Sequence, residues 1–381
     1  MSILLGAAAV FWIFYGGHCL LQTWRIPSLA AFPPDPTDDN SRVSVLMAAR
    51  DEARSLPHAL PTLLALNHPN LEIIAVDDRS RDATGSILDD FANRSPRMRA
   101  LHIRELPPGW LGKVYALQAA YEISNGEWLL FTDADVHFNQ DAISRALRMA
   151  RERNLDHLSL LASLEMHGFW EHVAISYFAL AFLLGIRPWR VDKQGAGSYM
   201  GVGAFQLVRR SAYEAAGGHR RLAMEVVDDM KLGKVMKTSG FRSGVAIADG
   251  YVKVRWHEGL GNITRGLTKN MFAGMGFCVW KAIGALTAVL LISVLPFLAL
   301  TFTRGPALFL AIAASTGAVL FNAVVLANLE TESPLYALAH PLGAAAFSWI
   351  ALRSMVVTLW RGGIVWRDTF YPLDQLRRGA V

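Results

Sequence analysis

The chain has 381 residues, of which 52% are hydrophobic and 18% charged, with a formal net charge of +5. That is apolar for a soluble enzyme, and the length suits one large domain with additions. The positive charge is spread among Arg-rich loops with no dense basic stripe and no interleaved aromatics, which argues against a nucleic-acid partner; arginines beside anionic lipid account for it.

Ile3 to Leu21 is nearly uncharged and long enough to span a bilayer. It lacks the basic start and the cleavage site of a secretory signal, so residues 1–24 read as a retained anchor. Arg25 and Arg42 follow it, which puts its C-terminal side in the cytoplasm and makes the cell (inner) membrane the expected location. Residues 25–41, rich in Pro and Asp, read as a linker.

From Val43 strand, loop and helix alternate. Val43–Ala48 is a predicted strand and Leu56–Leu66 a helix. Leu71–Val76 is a strand that ends on Asp77-Asp78, and a helix follows to about Ala92. Met98–Ile103 is a third strand. The loop Glu105–Lys113 leads into a helix over Val114–Ile123. Trp128–Phe131 is a short apolar run, as in a strand buried on both faces, and it stops at Thr132-Asp133-Ala134-Asp135. This alternation predicts βαβ units and a mostly parallel, Rossmann-like sheet over residues 42–275. No G-x-G-x-x-G follows the first strand, which disfavours a dinucleotide cofactor.

Beyond Asp135 the expected elements are a helix over Gln140–Glu152, a strand over Leu158–Ala162 and a Gly-rich stretch, Gly195–Val208, closing in a strand. A helix over Glu225–Thr238, strands over Gly244–Ala248 and Tyr251–Trp256, and a basic amphipathic helix over Gly259–Phe272 follow. The apolar run Trp170–Ile186 is short for a span and reads as a core or interfacial helix, with Trp189 between two arginines at a headgroup boundary. Residues 276–360 hold three apolar segments: Ile283–Phe302, Ala307–Asn328 and Leu335–Leu359. The third is interrupted by His340-Pro341 and carries Arg353, so two or three helices remain open. Three full crossings would leave the basic tail, residues 361–381, outside, against the positive-inside expectation. Cys19 and Cys278 lie in or near these segments and offer neither a disulfide framework nor a zinc site.

Ligands of open α/β sheets bind at the carboxyl ends of strands. Two Asp one residue apart at such an end, Asp133 and Asp135, can present oxygens to a hard divalent ion that grips a diphosphate. Asp77/Asp78 and Asp228/Asp229 are further acidic pairs. With Arg50-Asp51-Glu52 and Lys113, these motifs resemble glycosyltransferase family 2, in matching order from Val43 to about Asn270. The resemblance implies a GT-A fold and a nucleotide-sugar donor, UDP-hexose first. It implies that Glu52, Asp77 and Asp78 contact the nucleoside. Ala48 and Asp51 depart from the usual Pro and Asn, and Asp228-Asp229 stands where Glu-Asp is commoner. Gly109-Trp110-Leu111-Gly112-Lys113 is similar to the membrane-bound branch that acts on lipids, the hopanoid- and carotenoid-associated enzymes and ceramide glucosyltransferase. Gln-x-x-Arg-Trp of the processive synthases is not found.

The chemistry expected is transfer of one or a few sugars to a lipid hydroxyl at the cytoplasmic face, with inversion. Mg²⁺ or Mn²⁺ on Asp135 and Asp133 would offset charge on the leaving diphosphate. Lys113, at a helix start, would add a point charge there, although it reads nearly as well as a surface lysine. Asp229 is the expected general base, with Asp228 orienting it or binding the acceptor; the same pair would also suit a helix-capping role. His219, Trp189, Arg265 and Lys269 are weaker candidates for the acceptor or diphosphate. A polysaccharide synthase, a polyprenyl-phosphate glycosyltransferase, a transporter and a nucleotide-sugar-binding pseudoenzyme are the rival readings.

Overall fold

The computed structural model describes residues 1–34, 40–328 and 333–381. Residues 35–39 of the expected linker lie outside the described residues. The chain divides into two compact units. One gathers Met1–Arg25, Met166–Arg187 and Trp256–Arg378, and the other Ile26–Glu165, Pro188–Arg255 and Gly379–Val381.

The second unit is built on a seven-stranded sheet. Its strands are β1 (Val43–Ala49), β2 (Leu71–Asp78), β3 (Met98–Ile103), β4 (Trp128–Asp133), β6 (His157–Leu161), β8 (Gln206–Arg209) and β9 (Ser243–Ile247). Their order is β3-β2-β1-β4-β8-β6-β9. The four strands β1 to β4 run parallel, joined by helices. Strands β1, β2 and β4 carry near-continuous buried runs, as strands covered on both faces do, while the edge strand β3 includes Arg99 and His102. Strand β8 is antiparallel to both β4 and β6. It follows a long excursion of the chain and enters from the opposite edge of the strands. Short strands β5 (Val136–Phe138), β7 (Ser163–Leu164) and β10 (Val252–Val254) form a second sheet. The core beneath is one contiguous cluster that includes Val45, Leu60, Ile73, Trp128, Leu147, Phe205 and Val252.

Among the element boundaries that differ from expectation, two concern acid pairs. Strand β2 continues through Asp77 and Asp78, which are buried and hydrogen-bonded rather than solvated in a loop. The helix expected from Glu225 begins at Asp228, so Asp228 and Asp229 form its first turn. Carboxylates are favourable at that end of a helix.

The first unit is helical. Among the described residues five helices are long and apolar enough to cross a membrane: Ser2–Thr23, Gly168–Arg190, Val279–Ala299, Pro306–Ala327 and Pro334–Arg361. The helix over Gly168–Ile186 has 19 residues and is longer than its apolar run suggested. Small residues let these helices pack closely. A Cβ at Gly343 would press on Tyr177 and the Val173 carbonyl, and one at Gly317 on Trp12. Polar side chains stitch them as well: Trp12 Nε1 donates to the Ile292 carbonyl at 2.7 Å, and Tyr177 Oη to Ser293 Oγ at 2.9 Å. The Leu335–Leu359 segment begins as a 3₁₀ turn, Pro334–Ala339, and becomes α-helical at His340–Arg361. Pro341 sits in the first turn of that helix, where a missing N–H costs nothing. Part of the tail is ordered as a hairpin, β11 (Gly363–Trp366) and β12 (Thr369–Pro372), followed by the Leu373–Arg378 helix. Arg367 and Asp368 both have positive φ, the conformation a two-residue hairpin loop demands.

Candidate active site

At the end of β2, a web of side chain to backbone bonds ties two loops together. The N–H groups of Asp51, Glu52 and Ala53 donate to Ser80 Oγ, Thr84 Oγ1 and Asp82 Oδ2. The Arg81 N–H returns a bond to Asp51 Oδ1. Asp77 Oδ1 accepts the Ser80 N–H at 3.0 Å, and Oδ2 lies 3.1 Å from His102 Nδ1. Burial alone would raise the Asp77 pKa, but Ser80 and His102 bring it below the ordinary carboxylate value. Asp78 accepts from Nε and Nη2 of Arg79, at 2.7 and 3.1 Å, with Arg50 at 3.9 Å. Gly112 backs directly onto this Asp78–Arg79 pair, leaving no space for a Cβ. The loop that carries Glu52 is thus tied to the turn that follows Asp77 and Asp78, and the Glu52 charge is felt at Asp135. The sequence reading missed His102, which the alternation of β3 could have placed beside β2.

The second half lies at the end of β4. Lys113, in the first turn of the Gly112–Glu122 helix, reaches Asp133 Oδ1 at 2.6 Å and Asp228 Oδ2 at 3.6 Å. Lys113 is therefore an internal counter-ion and not a surface lysine. Burial would depress its pKa, but Asp133, Asp228 and Asp229 outweigh that and raise it. Asp229 Oδ2 accepts the Gly203 N–H at 3.1 Å, and the Asp133 N–H donates to the Gly203 carbonyl at 3.0 Å. Gly203 thus bridges the two acids. A Cβ there would fall on the Asp133 carboxylate, one at Gly201 on the Asp229 carbonyl, and one at Gly233 on the Met200 carbonyl. The Gly-rich stretch is what lets the acid-bearing helix approach the strand end. Its Gly-x-Gly spacing was the available signal, and the sequence reading gave it no role.

Lys113, Asp133, Gly203, Gln206, His219, Asp228 and Asp229 line one small cleft. Asp135, after β4, is pushed up to about 7, by burial first and then by Asp133 and Glu52. Asp229 is also raised, chiefly by burial, with Lys113 opposing. Such a crowd of carboxylates is the setting in which a base is tuned toward neutrality or a cation is bound. Among the described residues no group of three or more His, Cys, Asp or Glu side chains is arranged to hold a metal ion. Two carboxylates completed by phosphate oxygens are nevertheless a donor set that Mg²⁺ accepts. The elevated Asp135 fits that role, since a cation would offset both the burial of its charge and the repulsion from Asp133 and Glu52.

His219 is buried beside this cleft. Burial and Lys113 lower its pKa to about 3, so it is neutral. Trp189 is also buried, in a 3₁₀ turn over Pro188–Arg190, and does not stand exposed as a headgroup contact would. Arg265 and Lys269 belong to the helical unit, on the Gly259–Gly274 helix. Arg265 donates to Asn262, and the Lys269 ammonium sits 3.7 Å above the Trp366 ring.

Residues 44–217 match the family model of glycosyl transferase family 2. A similar protein is 4,4'-diaponeurosporenoate glycosyltransferase of Staphylococcus haemolyticus, 26% identical over 237 residues, 61% of either chain. Another is beta-monoglucosyldiacylglycerol synthase of Synechocystis, 26% identical over 249 residues, 60% of this chain and 50% of the other. The matches thus span about three-fifths or less of these relatives' lengths. The mannosyltransferase PcManGT from Pyrobaculum calidifontis, solved with GDP-Man and Mn²⁺, superposes with a TM-score of 0.54 at 20% identity, covering 94% of this chain and 99% of that one. That likeness shows a common GT-A fold. The acids at the ends of β2 and β4 therefore sit in a GT-A sheet, and the stretch that carries most of them, residues 44–217, matches a glycosyl transferase family 2 domain.

Proposed function

We propose that the protein transfers a sugar from a nucleotide-sugar donor, UDP-hexose first, to a hydroxyl of a lipid at the cytoplasmic face of the cell membrane. The observation that carries this is the convergence of Asp133, Asp228 and Asp229 on Lys113 in one cleft. Breaking the anomeric bond places negative charge on the departing diphosphate, and a fixed ammonium beside that path stabilises it. Mg²⁺ or Mn²⁺, held by Asp135 and Asp133, would supply further neutralisation of the leaving phosphates. Asp229 takes the proton from the acceptor hydroxyl; its raised pKa suits a base. Asp228 orients that base, and Glu52, Asp77 and Asp78 hold the nucleoside. A single displacement of this kind inverts the anomeric centre. The lipid acceptor is supported by the names of the two relatives and by the apolar helices.

Connectivity supports a particular membrane arrangement. Both flanks of the Gly168–Ile186 helix belong to the sheet unit, where β8 is hydrogen-bonded to β4 and β6. A helix that crossed would put those strands on opposite sides, so this one enters the membrane and does not cross. The chain leaves the sheet unit at Arg255 and rejoins it at Gly379. There, Lys231 and Lys234 donate to the Val381 carbonyl at 2.6 and 2.8 Å. An even number of crossings must lie between. Of the three candidate helices in that interval, Val279–Ala299 and Pro306–Ala327 cross and Pro334–Arg361 does not. Arg361, Arg367, Arg377 and Arg378 then stay cytoplasmic, as the positive-inside rule wants. A single cysteine in place of Arg378, in a chain freed of Cys19 and Cys278, should react with an impermeant maleimide only in inverted vesicles. Reaction only in right-side-out vesicles would refute the arrangement.

The function is tested by incubating detergent-solubilised protein with labelled nucleotide sugars, Mn²⁺ or Mg²⁺, and total membrane lipid. The expected result is label in a small lipid, lost with a chelator and in Asp135→Ala and Asp229→Asn. Label in insoluble high-mass material would instead indicate a polymerase, and a retained anomer would remove Asp229 as base.

A further inference from the structure

His219 ends the Gly217-Gly218-His219 turn, a motif with no role in the chemistry above. Its ring is 1% exposed and lies against Phe131 at 4.7 Å between centroids. Tyr213, also buried, meets it twice: Tyr213 Oη accepts the His219 backbone N–H at 3.0 Å and stands 2.8 Å from Nδ1. The approach depends on Gly218, where a Cβ would strike the phenol ring.

The hydrogen of that hydroxyl has one place to go. Among the described residues Tyr213 Oη has no other hydrogen-bond partner. Were Nδ1 protonated, the phenol would be a buried donor without an acceptor, which is costly. The phenol therefore donates to Nδ1. In a neutral imidazole the proton must then sit on Nε2. Nε2 has no partner among the described residues, and His219 lines the same cleft as Lys113, Asp133, Asp228 and Asp229.

We propose that His219 presents Nε2–H into this cleft as a donor to an oxygen of the bound nucleotide sugar, and that Tyr213 is the positioning residue that holds the ring in that tautomer. The proposal rests on the nucleotide-sugar reading above. The oxygen belongs either to the diphosphate or to a hydroxyl of the transferred sugar, both of which accept such a bond. A neutral donor suits a cleft crowded with carboxylates: it adds direction without a second cation to compete with Lys113.

The test uses the full chain in detergent with ¹⁵N-labelled histidine rings. The His219 signals are assigned by their absence in His219→Gln. The expected result at pH 7 is a neutral Nε2–H ring in wild type and a mixture of tautomers in Tyr213→Phe. Saturating UDP or GDP that shifts Nε2 assigns the phosphate oxygen; a shift only with the sugar attached assigns the hydroxyl. A wild-type ring protonated on Nδ1, or no change in Tyr213→Phe, overturns the role of Tyr213. Nucleotide sugar that binds by equilibrium filtration without moving Nε2 overturns the role of His219 alone. Absence of any binding sinks the nucleotide-sugar reading and this inference with it. In kinetics, His219→Leu should lose about 100-fold in transfer, and His219→Gln, which keeps a donor, less than about tenfold. Equal rates in the two variants at equal melting temperature would show a packing role only.

Discussion

Two acidic groups stand at the ends of β2 and β4, on either side of β1, and they are balanced differently. At the end of β2, each acid has its own partners: Asp77 has His102 and the Ser80 N–H, and Asp78 has Nε and Nη2 of Arg79. At the end of β4, Lys113 is shared between Asp133 and Asp228, and Asp135 and Asp229 stay raised. In the first group each acid is already paired, and on the proposed reading it holds the nucleoside. The second holds negative charge in excess of its visible counter-ions and is poised to act on a proton or a cation. Changes at β2 should therefore act on donor affinity, and changes at β4 on turnover.

The largest separation should come from Asp229→Asn, which removes the base and keeps the shape. Transfer should fall about 10³-fold while nucleotide affinity stays within a few-fold. Asp77→Asn should do the reverse, weakening donor binding about tenfold with kcat nearly intact. Steady-state kinetics beside equilibrium binding of the nucleotide distinguishes the two; a parallel loss in both variants would erase the distinction.

Next in size is Gly201→Ala. Its Cβ would fall on the Asp229 backbone carbonyl, where no rotamer change gives relief. The expected cost is about 3 kcal/mol of stability, read from denaturant unfolding. Lys113→Met should cost about 2 kcal/mol, since breaking a buried ion pair costs more than this but Lys113 is partly open to solvent. Its melting temperature should also respond more strongly to Mn²⁺ than that of wild type. A Lys113→Met protein as stable as wild type, with or without Mn²⁺, would show that the β4 cluster is not short of positive charge.

Much of this was legible before any coordinates. Strands β1, β2 and β4 were readable because each is a mostly apolar run between loops with acids or glycines, as buried parallel strands are, whereas β3, which carries Arg99 and His102, is legible mainly by its place in the alternation. The acids were readable because their spacing placed them at strand ends. The antiparallel β8 was not, since four residues after a Gly-rich loop carry no sign of direction. Nor was the role of Gly203, which lies in what its missing Cβ leaves room for. The burial of Trp189 was misread because two flanking arginines suggest an interface whichever way the indole points. For the long apolar helices, length and apolarity say only that a segment can cross, while connectivity decides whether it does.

The smallest expected effect tests the paired character of the β2 group. His102 bridges Asp89 and Asp77, at 2.9 and 3.1 Å, and these bonds raise its pKa above the ordinary 6.5. A histidine raised in the folded state binds its proton more tightly there than in the unfolded chain. The stabilisation is fully present below about pH 6.5 and fades as pH climbs through the raised value. Asp77, whose own pKa is lowered, is lost only in acid and does not interfere in that window. Because Asp89 is more than half exposed, the bridge is worth only about 0.5 kcal/mol. The unfolding free energy of wild type should therefore exceed that of His102→Asn by about this amount at pH 6, and the gap should shrink by pH 8.5. A gap that is constant with pH would mean that His102 packs against β2 without carrying charge to Asp77, and that the β2 acids are less fully balanced than their geometry indicates.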